Sequence, residues 1–312
     1  MRLIFVPQFP VNMRYSHWWF YEFPHQLNMR FNEVVMLGKD YVKKFKNVDY
    51  DKQWFSPVNQ SIEFEMAQVT EYLNLELQDD DILFHADLSY PGIFHNVLYH
   101  KRPKKCFAYC HATARNKHDY FQSVRASKFK VESGFALLYD KVFVGSQYHA
   151  DKINWKNSVV VGLPNPTILS PVKLKRDKLI VSVCRPSIQK VDPNVEKKVI
   201  KEFGDIIRPE VPFPDWVDYS EFLSSSKILL ISSREETFGY TILDAIQMGC
   251  IPIAPKRLCF PEILPKDYLY DSPESLYTLI NKIVKGELGV PEIVCSGLVD
   301  GFYDNICEIM KR

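Results

Sequence analysis

Two acids, Glu236 and Asp244, stand eight positions apart around the step Phe238-Gly239, in the stretch SSREETFGYTILDAIQMGCIPIAP. Gly239 permits a tight entry into the helix predicted by YTILDAIQMG, whose apolar residues fall at 242, 243, 245, 246 and 248. The amides of residues 238 to 241 are that helix's leading donors. With the helix dipole they make a place for an anion such as a phosphate. Asp244 lies about 7.5 Å further along the axis, at ~1.5 Å per residue. Two carboxylates beside such a place would repel a free phosphate. They suit a diphosphate with a hydroxylated ring at each end, where one acid accepts hydrogen bonds from a hexose and the other from a ribose.

A diphosphate also needs cations. IVSVCRPSIQKVD closes a strand with Arg185 and places Lys190 five residues later. The guanidinium can fork onto phosphate oxygens, and the ammonium acts as a point charge. Held in place, the pair would stabilise the charge that develops on a leaving nucleoside diphosphate, with no metal needed. Taken singly, an E-x7-D around Phe-Gly is more often a capped surface helix, and a lone arginine more often an ion-pair residue. The reading rests on the combined order of Arg185, Lys190, Glu236, Phe238, Gly239, Asp244, Gly249 and Pro252.

That order resembles the retaining GT-B glycosyltransferases. FGYTILDAIQMGCIPIAPKRLCFPEILPKDYLYDSPESL is similar in more detail to the branch containing the tRNA-queuosine mannosyltransferase, where P-x-R-L-x-[YF]-P-E-I follows the same helix. The resemblance covers about residues 178 to 285. VFVGSQYHADKI and VVVGLPNP look like the end of the family's first domain. It implies that Glu236 contacts the donor sugar, that Asp244 holds the ribose, and that Arg185 and Lys190 hold the diphosphate. The donor-binding stretch would continue through Thr237, Phe238, Gly239, Tyr240 and Thr241. It also implies front-face substitution, with the departing diphosphate helping to deprotonate the incoming hydroxyl. Departures are visible. The second acid is Asp rather than the usual Glu, the stretch between SVC and KILLIS is short for a further strand-helix unit, and VPQFPVNM lacks glycines.

These residues need elements to hold them. LIFV, EVVML, DILFHA, KCFAYCH, KVFVGS, SVVVG, KLIVSVC, KILLIS and CIPIA are continuous apolar, β-rich runs separated by helical stretches. Such runs predict parallel sheets covered on both faces. The expected fold is α/β, of GT-B type, with two doubly wound Rossmann-like domains facing a cleft. GLPNPTILSPVKLKRDK, rich in proline and charge, marks the linker. We place the acceptor-binding domain at 1–165, the nucleotide-sugar-binding domain at 166–290, and a terminal helix in 291–312 that packs back on the first domain.

All eight histidines lie in the first domain. His85 and His111 end strands and so are expected to face the cleft, His111 being the better candidate for a catalytic role at the donor sugar or acceptor hydroxyl. Residues 101–130 hold nine Lys or Arg against one acid, Asp119, with Tyr109, Tyr120, Phe121 and Phe129 interleaved. That composition suits a nucleic-acid groove as well as a solvated basic face. His17 and Trp18, in RYSHWWFYEF, could clamp a flipped base.

The expected activity is transfer of a hexose, most simply glucose from UDP-glucose, to a hydroxyl on a modified base of phage DNA or tRNA. The same chemistry on a glycan, lipid-linked sugar or small molecule is one alternative, and a non-catalytic nucleic-acid-binding protein is another. No cofactor beyond the nucleotide sugar and no metal is expected. Lys+Arg 39 against Asp+Glu 38 is near neutral overall. Seven cysteines, odd in number and without CxxC spacing, read as reduced thiols of a cytoplasmic protein, or one in a host's cytoplasm if viral. No run approaches the roughly 18 apolar residues of a membrane span. A monomer or weak dimer is expected.

Overall fold

The computed structural model describes residues 1–11, 14–44, 58–117, 122–164, 174–184, 190–209, 213 and 215–312. Each of the nine apolar runs forms a strand: β1 Arg2–Val6, β2 Glu33–Met36, β3 Ile82–His85, β4 Lys105–Tyr109, β5 Lys141–Val144, β6 Ser158–Val160, β7 Lys178–Val181, β8 Ser226–Leu230 and β9 Ile251–Pro255. A tenth, β10 Leu269–Tyr270, is too short to read as a strand from its sequence. Burial explains the runs. Every residue of β1, β3 and β9 is buried, so both faces of those strands need apolar side chains.

The strands form two parallel sheets, ordered β2-β1-β3-β4-β5-β6 and β10-β9-β8-β7. In the first, Val6 pairs with His85 and His85 with Ala108, so the carboxyl ends are level. The loops after them therefore open on one side. The order reverses between β1 and β3, the kind of switch point where such sheets leave a crevice. In the second, Ile207 extends the edge by a single bridge to Val181, after the helix Pro193–Phe203. The short stretch between SVC and KILLIS thus adds one bridging residue to the sheet.

One apolar cluster runs through both sheets, from Leu3, Phe84 and Phe143 by way of Phe238 to Ile228, Leu243 and Ile253. It continues into the closing helix Phe302–Lys311, which lies against the first unit. There Phe302 packs edge-on to Trp19 and Phe23, with ring centres 6.2 and 6.0 Å apart. Arg30 pairs with Asp304 at 2.8 Å. Gly162, at φ +76°, is the backbone site where residue 298 comes too close for a side chain. Among the described residues, no helix is long and apolar enough to cross a membrane.

Candidate active site

The loop between β8 and the helix Tyr240–Gln247 turns on Gly239, whose φ of +97° lies in the left-handed region that side chains avoid. Cys259 Sγ donates to the Phe238 carbonyl at 3.2 Å and fixes the turn from behind. A Cβ on Gly145, just after β5, would come within 3.1 Å of the buried Phe238 ring. The bare glycine lets the loop of the second unit press on the first.

Lys190 and Glu236 meet at the mouth of this loop. Nζ donates to Oε2 at 2.6 Å, and both side chains stay partly exposed. Glu236 Oε1 also accepts from the Thr237 amide at 3.1 Å. The two side chains are 22% and 18% exposed, so desolvation offsets much of their attraction. The pair's effect is placement: the ammonium is held by Glu236, two residues before Phe238 in the loop that leads into the helix.

Asp244 lies inside the helix and is buried, and the Tyr219 hydroxyl donates to its Oδ2 at 2.9 Å. Burial pushes the Asp244 carboxyl up to about 7, and the Tyr219 bond pulls against that rise. Cys184, at the end of the strand run, is within electrostatic reach of Lys190 and Glu236 and also of Tyr219. The two acid-bearing ends of the loop-helix unit therefore share one neighbourhood. Thr241 is partly exposed in the first turn of the helix. Arg185, expected on the diphosphate, falls outside the described residues.

From the first unit, His111 reaches the same loop. Thr237 Oγ1 donates to the His111 carbonyl at 2.7 Å. His111 Nε2 lies 3.1 Å from the Ala86 carbonyl, which can only accept, so Nε2 carries the proton and Nδ1 keeps the lone pair. The ring is packed by Tyr15, Tyr109 and Trp19, at 4.4, 4.5 and 4.9 Å between centres. That shielding pulls its pKa down to about 3 and keeps it neutral. Tyr240 continues the wall: Tyr15 stacks on it at 6.4 Å, and Trp19 Nε1 donates to its hydroxyl at 3.3 Å. Beside Tyr15, at the switch point of the first sheet, a recess of about 50 Å³ is lined by Gln8, Phe9, Arg14, Tyr90 and others.

Three expectations are corrected. His85 does not face the cleft. Its Nδ1 meets the Tyr139 hydroxyl at 2.8 Å, and that hydroxyl meets His95 Nδ1 at 2.8 Å, all within the core. Trp18 is not a base clamp either. It is buried edge-on against Trp19 and Phe23, and the partly buried His17 ring lies 4.6 Å from Tyr21.

The basic stretch 101–130 is not one face. Lys101, Arg102 and Lys105 sit at the amino end of β4, bonded to the Leu73 carbonyl, to Asp140 and to the Lys311 carbonyl. Arg115 and Lys117 follow its carboxyl end, about 16 Å away for five residues at ~3.3 Å each. Lys128 is tied to the Ser89 carbonyl at 2.7 Å. Tyr120 and Phe121 fall outside the described residues.

Two acids that join the units were not singled out from the sequence. Glu235 accepts from the Lys117 amide at 2.9 Å and from Lys152 Nζ at 2.6 Å. Glu262, in the P-E-I run, accepts from the Gln147 and Tyr148 amides at 2.7 Å each, at the amino end of the helix Gln147–Ile153. Glu235 stands beside Glu236, and only a partner 83 residues earlier separates their roles.

No protein-family model matches the chain. A stretch of 102 residues is 31% identical to the tRNA-queuosine alpha-mannosyltransferase of Drosophila melanogaster, and spans 31% of this chain but only 25% of that relative. An S. aureus TarM variant, crystallised with fondaparinux, alpha-GlcNAc-glycerol and UDP, is 15% identical, with a TM-score of 0.50 over 78% of this chain and 55% of that one. The sucrose-phosphate synthase from Thermosynechococcus elongatus is 13% identical, with a TM-score of 0.62 over 100% of this chain and 94% of its own. The chain has the GT-B fold. Thr237, which bonds the His111 carbonyl, follows Glu236 in the same loop, so Tyr15 and His111 come near the Lys190–Glu236 pair.

Proposed function

We propose that the chain is a nucleotide-sugar-dependent glycosyltransferase acting by retention. The observation that carries this reading is the Lys190–Glu236 pair, 2.6 Å apart, beside the amino end of the Gly239-entered helix. In this reading Lys190, Arg185 and the amides of Phe238, Gly239, Tyr240 and Thr241 take the diphosphate. Glu236 turns from the ammonium to the hydroxyls of the donor hexose, Thr237 braces the loop against His111, and Asp244 accepts from the ribose. The bond from the sugar's anomeric carbon to the diphosphate oxygen breaks. The acceptor oxygen bonds to the same face, and its proton passes to the departing phosphate. His111 lines the acceptor side as a neutral group, with Nδ1 available to accept. The UDP bound in the TarM variant supports a uridine donor, UDP-glucose being the simplest.

For the acceptor we propose a hydroxyl on a modified base of DNA or tRNA. The local identity to a tRNA-queuosine mannosyltransferase supports it, as do Arg115, Lys117 and Arg125, exposed near the cleft side of the first sheet. The split of the basic stretch favours a second reading, a glycan or small hydroxylated acceptor that needs no long backbone track.

Incubation with a panel of UDP- and GDP-sugars, with and without EDTA, should give nucleoside diphosphate release with at least one donor in both conditions. Release abolished by EDTA would remove the metal-free mechanism, and no release with any donor would remove the enzyme reading. Mass spectrometry of nucleosides from expressing cells should show a hexosylated base. Its absence, with donor turnover intact, would select the glycan reading.

A further inference from the structure

Resting on the reading of Asp244 as the ribose contact, we propose that Tyr219 is the positioning residue that lets a short aspartate do this work. Asp244 has one methylene fewer than glutamate, so its carboxylate has a shorter reach and needs fixing from the side. Tyr219 supplies that from the helix Trp216–Ser224, which packs beside the Asp244 helix. Its hydroxyl donates to Oδ2 at 2.9 Å, which sets the carboxylate plane and leaves Oδ1 for a ligand.

The phenol is itself held. Phe213 and Trp216 pack edge-on against it at 5.2 and 5.8 Å, and its side chain is buried. The arrangement costs more than a surface bond would, since an acid and a phenol are both taken from water with one bond between them. A purely structural role would be met more cheaply by an apolar pair at this helix-helix contact.

The titratable neighbours are uncharged forms. Tyr240 begins Asp244's own helix, and Cys184 and Cys250 lie near the Tyr219 hydroxyl. Tyr219's bond favours the ionised carboxylate, and burial opposes it. Removing the hydroxyl should therefore raise the Asp244 pKa. Ribose hydroxyls need the ionised acceptor, so ligand binding should be lost at a higher pH than before as pH falls.

The test is calorimetric titration of the wild type and Tyr219→Phe with UDP, GDP and their 2′- and 3′-deoxy forms, from pH 6 to 9, beside thermal melts. The wild type should bind one ribonucleotide more tightly than its deoxy forms. Tyr219→Phe should weaken that ribonucleotide about tenfold, in line with ~1.5 kcal/mol for a bond to a charged group. It should leave the deoxy forms almost unchanged and move the acid limb upward. Unchanged ribonucleotide affinity in a folded variant, or equal losses for ribo and deoxy forms, would overturn the positioning role. A folded wild type that binds no nucleoside diphosphate at all would overturn the donor-site reading itself.

Discussion

Replacing Lys190 by alanine should lower transfer from a nucleotide sugar by ~100- to 1,000-fold, the range seen when one fixed donor is removed from developing charge. The reason is geometric. Glu236 holds the ammonium 2.6 Å away at the mouth of the donor loop, so it needs little reorganisation when a diphosphate arrives. The melting temperature should also fall, because the change leaves the mostly buried Glu236 carboxylate without its ammonium. Lys190→Arg should recover part of the rate, since the charge returns with a different shape. Single-turnover kinetics with a thermal melt as control would check this. A turnover within a few-fold of wild type would show that the diphosphate is held elsewhere.

Asp244→Asn should move stability and ligand affinity in opposite directions. The carboxyl titrates at about 7 in the folded chain and at 3.8 as a free group, because burial penalises the charge. Since the folded-state pKa is raised, the stability tied to its proton is complete below 3.8 and is lost as pH rises through 7. At pH 8 the wild type thus carries a buried charge that asparagine lacks. The variant should melt several degrees higher at pH 8 and show no gain at pH 4, for a net effect of up to ~4 kcal/mol. The same change should weaken nucleoside diphosphate binding about tenfold or more, as a charged acceptor becomes a neutral amide. Scanning calorimetry at the two pH values, paired with titration, would read both. Equal melting shifts at pH 4 and pH 8 would remove the buried-charge argument.

Much of the fold was legible because its causes are local. A strand buried on both faces must be apolar throughout, so DILFHA and CIPIA announced themselves, while the two residues of β10 could not. Gly239 and the helix after it were readable for the same reason, since a left-handed turn and a 3.6-residue period are written in neighbouring residues. What escaped depends on distant partners. Tyr219 and Asp244 are 25 residues apart, and Glu235 meets Lys152 across 83. His85 ends β3 and His111 lies two residues past β4, yet the first ring bonds Tyr139 in the core, while the second packs among Tyr15, Tyr109 and Trp19 and leaves its carbonyl to meet Thr237. The register pairs His85 with Ala108, three residues before His111, so the two rings stand at different heights and their packing decides what each one meets. The nine cations of residues 101–130 were close in sequence, and a strand running through the middle of them carried its two halves to opposite ends of the sheet.

The closing helix Phe302–Lys311 also sets an order of assembly. Trp19 and Phe23 belong to the first unit but are covered by Phe302 and Tyr303. On a ribosome the first sheet is synthesised long before its cover. Some 140 residues separate β6 from Phe302, about 10 s at a typical 5–20 residues per second. For that interval an aromatic flank stays bare, a natural stop for a chaperone, and nascent chains arrested before residue 302 should be the ones that carry one.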